Sequence, residues 1–332
     1  MQLAQELASS LLYASQKQAN PRYRLTGHLL VGYTMVTLGE FLSAKAHLED
    51  AFTLVQSCSA DLNEPWQPLP DREALIFWTL WAMAHLGLGA ATSLLGYLDQ
   101  AQTHLSTVVE RAAPLGYATA QAEVSIAQAR LRSHYTDVAE LAPSIERSSM
   151  VARELGLVLY SAVATIHRGY MISCRGAPEQ GIGLMKEGME AYAATDAVIW
   201  SGYHRALLAE AYQQVGRLTE ARQLLVEAQD WAERSGERWY DAELTRRLGE
   251  VDRQGGDTAA AETRFKQALA IARRQRAKLW ELHAATSLAR LWHDQHRSAE
   301  ARAVLAPVYG WFKEGLETSS LRCAKAVLDE LS

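Results

Sequence analysis

His293 and His296 stand three residues apart with Asp294 between them, a spacing that can hold a metal ion. No third ligand is in sight in the surrounding sequence, so the pair reads as a solvated helix end and no metal is expected. Arg273, Arg274, Arg276 and Lys278 form a basic cluster that suits a phosphate. The same cluster suits the negative end of a helix dipole, which is the simpler reading. Gly181, Ile182 and Gly183 with Gly188 have the glycine density of a nucleotide loop, but no strand precedes them and they fall inside a helical pattern. Arg168, between His167 and Gly169, occupies a position where a helical core usually has leucine. A charge placed there needs a structural partner. No set of nucleophile, base and oxyanion donors can be assembled, so the chain is expected not to be an enzyme and to carry no cofactor.

The elements that position these residues repeat. Gly181, Ala221, Ala261 and Ala301 recur at intervals of 40, each five places after Gly176, Gly216, Gly256 or His296. Such a period signals an array of helical hairpins. In each unit helix A carries a small residue at its eighth position, a turn residue stands at the fifteenth, and helix B carries a small residue at the twentieth. Small side chains are needed there because the two helices approach closely. Leu208 to Tyr212 followed by Gly216 to Ala221 is the clearest unit. A weaker unit has Ala127, Tyr135 and Ala139, with Pro143 predicting a kink or a late start in its second helix.

The expected fold is all-α, a tetratricopeptide-like solenoid forming one right-handed superhelical domain over 1–332. It comprises an N-terminal helix over 1–18, seven repeats over 22–56, 71–115, 117–155, 157–195, 197–235, 238–276 and 278–315, a proline-rich linker over 57–70, and a capping helix over 319–331 opened by Ser319 or Ser320. The stretch from Ala74 to Leu98 has no charge other than a titratable His85 and is long enough to cross a bilayer. Its glycines and hydroxyls dilute the hydrophobicity, so it is read as a pair of buried repeat helices. A net charge of -5 disfavours nucleic acid and anionic lipid. Three scattered cysteines imply neither disulfides nor a zinc site, which points to the cytoplasm.

The runs Gly236 to Leu244, Phe265 to Gln275, Ser287 to Trp292 and Leu305 to Phe312 give this grammar a more specific likeness. It resembles the C-terminal tetratricopeptide repeat region of large bacterial signalling proteins that join a class III adenylate or guanylate cyclase domain to an AAA-type ATPase. The usual repeat of that class is about 34 residues, so each unit here carries roughly one and a half extra turns. The likeness spans nearly the whole chain and is strongest from Ala197 onward. The family's phosphate loop and cyclase carboxylates have no match, so no catalytic residue carries over. The resemblance implies a regulatory arm working beside cyclase and ATPase domains in cis. An alternative is a small-molecule effector sensor in a signal-transduction ATPase that regulates transcription.

With helix A facing inward, the N-terminal half of the groove offers Tyr33, Leu86, Gln128, Ile166 and Tyr170, and the C-terminal half offers Tyr203, Glu210, Arg246, Arg253 and Arg290. The first set is mainly apolar and aromatic, the second polar and charged. A protein or peptide partner laid along this channel, anchored by Tyr33, Tyr170, Tyr203 and Arg246, is the expected function.

Overall fold

The computed structural model describes residues 1–17, 21–58, 72–112 and 118–331. Among them are sixteen α-helices and no strand. Seven hairpins follow one another: α2 (Pro21–Leu38) with α3 (Phe41–Cys58), α4 (Arg72–Leu95) with α5 (Leu98–Ala112), α6 (Ala118–Arg132) with α7 (Ala142–Glu154), α8 (Val158–Cys174) with α9 (Pro178–Ala193), α10 (Ser201–Gln214) with α11 (Leu218–Ser235), α12 (Asp241–Gln254) with α13 (Thr258–Gln275), and α14 (Lys278–Asp294) with α15 (Ser298–Tyr309). They are flanked by α1 (Gln2–Gln16) and α16 (Ser319–Glu330). The proline-rich stretch expected over 57–70 lies outside the described residues from residue 59 onward.

Small residues recur because the hairpin helices touch at those points. A Cβ added to Gly32 would lie 2.6 Å from Leu48, and one added to Gly249 would lie 2.6 Å from Phe265. The tightest hairpin is α8 with α9, where a Cβ on Gly169 would meet the Gly181 carbonyl oxygen at 2.7 Å. Ala221, Ala261 and Ala301 are fully buried at the equivalent places. The turn residues share a left-handed backbone, with φ of 93° at Gly176, 77° at Gly216, 87° at Gly256 and 60° at His296. Three glycines adopt that conformation freely, whereas His296 pays the steric cost of a Cβ.

Two local expectations change in the fold and a third holds. The apolar stretch from Ala74 is a single 24-residue helix, α4, because Gly87 and Gly89 sit where Leu48 and Leu105 press against the backbone and so serve packing rather than a break. Among the described residues no helix is long and apolar enough to cross a membrane. Helix α16 is preceded by Thr318, and no side chain caps it; Ser320 instead donates its hydroxyl to the His134 carbonyl at 3.0 Å. The late start expected at Pro143 is seen: α7 begins at Ala142, after a 3-10 turn at Val138–Leu141, so the proline falls in its first turn, where its missing N–H costs nothing.

The superhelix winds far enough for its second half to dock on its first. Thr37, at the end of α2, accepts the backbone N–H groups of Arg238 at 2.7 Å and Trp239 at 3.1 Å. Gly96, in the α4–α5 turn, lies so close to Lys278 and Trp311 that a Cβ would come within 2.8 Å of each. At the α6–α7 turn Asp137 pairs with Arg322 at 2.5 Å. Three successive hairpin turns of the N-terminal half therefore rest against residues that begin, or lie near the starts of, α12, α14 and α16.

Candidate site: an enclosed cavity on the inner face

Helices α2, α4, α6 and α8 pack side by side. They leave a cavity of about 270 Å³, closed on the far side by the 194–200 loop and Trp239. Its walls are mostly apolar, including Val36, Leu86, Ile126 and Val163. Tyrosines 33, 160 and 192 also line it. Burial pushes Tyr160 and Tyr192 up to about 12, so their phenols are neutral donors at pH 7. Tyr33 donates to the Met83 carbonyl at 2.8 Å.

One cation enters this space. Arg130, near the end of α6, places its guanidinium 4.2 Å from the centre of the Trp200 ring, and its Nε is buried without a hydrogen-bond partner. Burial lowers its pKa, an effect opposed by Tyr203, Tyr33 and Glu123 nearby. Glu123 lines the same cavity but lies two helical turns away on α6, about 10 Å along the axis, and accepts the Tyr160 hydroxyl at 3.3 Å. Among the described residues Arg130 forms no ion pair.

Trp200 is held in place from three sides. Its φ of 67° is left-handed, a conformation that a bulky residue holds only when its surroundings impose it. Glu237 accepts its N–H at 3.0 Å and the indole N–H groups of Trp239 at 2.9 Å and Trp231 at 3.3 Å. Burial raises the Glu237 pKa, and these three donors counter it. Tyr192 donates its hydroxyl to the neighbouring Ile199 carbonyl.

The C-terminal half of the inner face carries charged side chains that pair with one another. Glu243 accepts Arg246 at 2.6 and 2.8 Å, and Arg247 bridges Glu243 and Glu210. Tyr170 donates to Glu210 at 3.1 Å. Arg246 also donates to Glu250 at 3.3 Å and Ser287 at 3.1 Å. Burial opposes the charge on Glu243, yet the Arg246 and His283 side chains hold its pKa well below the ordinary carboxylate value.

Of the residues expected to line a groove, Tyr33 and Leu86 do line the cavity. Tyr170, Glu210 and Arg246 belong to the ionic ladder. Ile166 and Tyr203 are packed out of reach at 0% and 1% exposure, and Gln128 is buried, accepting Ser144 Oγ at 2.6 Å. Arg253 and Arg290 are exposed on the A helices, Arg253 pairing with Glu250 at 2.9 Å and Arg290 reaching Cys323 Sγ at 2.8 Å. Sequence reasoning missed Arg130, although an arginine after Ile126 to Ala129 is a visible irregularity. It also missed Trp200, whose role depends on a loop conformation that no local pattern signals.

The other motifs find structural roles. Arg168 is half-buried, 3.7 Å from Glu146. Arg273 and Lys278 both pair with Glu281, at 2.9 and 2.6 Å, while Arg274 and Arg276 line an open cleft at the seam with Arg238. His293 lies 3.4 Å from Ser298, and no cluster of three metal-binding side chains occurs among the described residues.

Residues 202–274 match the tetratricopeptide repeat family. Solved structures of similar shape include a Rap protein complexed with Competence and Sporulation Factor, at TM-score 0.58 and 13% identity over 92% of this chain and 80% of that one. The chain folds as a tetratricopeptide-like α-solenoid. The APC/C hetero-tetramer Cut9–Hcn1 is similar at TM-score 0.54 and 15% identity, over 99% of this chain and 58% of that one. Yeast Tom70 is similar at 0.53 and 13%, over 98% of this chain and 69% of that one. A comparison with curated proteins finds no match.

Proposed function

We propose that this solenoid is a non-catalytic scaffold and regulatory module that binds a protein or peptide partner, serving as the C-terminal sensing and assembly region of a cyclase and ATPase signalling protein. The observation that carries the reading is the mouth of the cavity. Leu159 and Ile199 line it while remaining 36% and 43% exposed, and their neighbours Val158 and Val198 are 62% and 57% exposed. Exposed aliphatic side chains gathered at an opening favour a partner that covers them. The Rap structure of the same fold, complexed with its factor, supports the reading as an analogy of fold.

The test is capture from the source cell with the partner identified by mass spectrometry, using the unaltered chain and the double variant Leu159→Asp, Ile199→Asp. With the helical circular dichroism preserved, the variant should lose the partner at least tenfold; undiminished capture would remove the mouth as the docking point. Sequencing the gene on both sides tests the placement, because a cyclase domain supports it and a helix-turn-helix favours the transcription-regulator alternative.

A further inference from the structure

We infer that the cavity binds a small free molecule with an apolar body and a carboxylate head, the head taken by Arg130. The inference rests on the reading of the cavity as a binding site and adds the chemistry of its occupant. A guanidinium removed from water is costly when uncompensated. Elsewhere on the inner face the chain compensates: Arg246 and Arg247 form ion pairs with Glu210, Glu243 and Glu250. Arg130, whose Nε is buried without a hydrogen-bond partner, is the arginine that lines the apolar chamber. The aromatic face of Trp200 orients the plane and supplies part of the missing attraction, but it offers no acceptor in that plane.

A guanidinium that lines the cavity and has no ion-pair partner among the described residues matches a carboxylate, which its terminal N–H groups can hold in a bidentate arrangement. The remaining walls specify the rest of the molecule. Val36, Leu86, Ile126 and Val163 can accept only hydrocarbon, and about 270 Å³ sits at the lower edge of the roughly 300–1,000 Å³ range of small-molecule sites. Trp200, pinned by Glu237 and strained at φ 67°, is already oriented against the guanidinium, so little ordering cost remains on binding.

Titration calorimetry on the purified full chain tests this with four probes: octanoate, 1-octanol, acetyl-leucyl-leucine as the free acid, and the same dipeptide as its amide. Octanoate should bind at least tenfold more tightly than octanol, and Arg130→Met should erase the difference while Arg130→Lys retains part of it. The comparison of acid with alcohol on the unaltered chain stands whether or not the methionine variant folds. Equal binding of octanoate and octanol would overturn the carboxylate assignment and leave the cavity as an apolar binding site. Failure of all four probes would remove the cavity as a binding site. Preference for the dipeptide acid over octanoate would overturn the free small molecule in favour of a chain terminus.

Discussion

The two halves of the inner face are built from the same hairpin and end in opposite chemical states. In the C-terminal half every inward charge on α10 and α12 meets a counter-charge on the same or the next A helix, giving the Tyr170–Glu210–Arg247–Glu243–Arg246–Glu250 ladder. In the N-terminal half the inward residues are mainly aliphatic and aromatic, a cavity remains, and Arg130 is left unpaired. The comparison teaches that a groove position in a wound solenoid is not free because it faces inward. It is free only where its neighbours fail to satisfy it.

Removing one member of the ladder should show the difference most strongly. Glu243→Ala removes the carboxylate that Arg246 and Arg247 share, leaving each one carboxylate partner, and should cost ~1.5–3 kcal/mol in urea denaturation, whereas Arg130→Met, which leaves no unpaired partner, should be neutral or stabilising. Equal losses would end the contrast.

Acid should separate the helices with buried histidines from α12 next. His85, His134, His167 and His204 are buried in α4, in the α6–α7 turn, in α8 and in α10, and burial lowers the pKa of each, to about 3 for His85 and about 4 for His167. An imidazole kept neutral in the folded state lets the unfolded chain bind the extra proton. Its stabilisation is therefore complete above the ordinary value of 6.5 and is lost as pH falls from there towards the folded pKa, at about 1.4 kcal/mol per pH unit for each group. Glu243, lowered from 4.5, has its stabilisation above that value and loses it only below. Hydrogen exchange should show α4, α6, α8 and α10 losing protection between pH 6.5 and 4.5 while α12 keeps it; simultaneous loss would contradict the assignment.

The smallest effect concerns the seam. Gly39 and Gly216 have nearly equal left-handed φ, 79° and 77°, but a Cβ on Gly39 would strike the side chain of Gln275 and one on Gly216 would meet nothing. Gly216→Ala should cost the conformational ~1–2 kcal/mol alone. Gly39→Ala should cost more and open the seam, seen as a larger radius of gyration in solution scattering. Identical costs would mean that the seam contributes nothing to stability.

The repeats were legible because their decisive contact is local. The eighth and twentieth positions lie twelve residues apart, as in Gly32 with Ala44 or Gly169 with Gly181, and a short turn forces them together whatever the rest of the chain does. The candidate site was only partly legible: Tyr33 and Leu86 follow from the helical register, but Arg130 acquires its meaning from Trp200, seventy residues later in another hairpin. No helical periodicity links those two.

The amino-acid order alone therefore specified the hairpins and their number, since those depend on contacts within one repeat and its turn. Tertiary structure decided the winding that sets Thr37 against Arg238, which inward charges are neutralised, and where space remains. The reason is accumulation: each hairpin adds a small rotation to the last, and only the sum over several repeats fixes which distant surfaces meet.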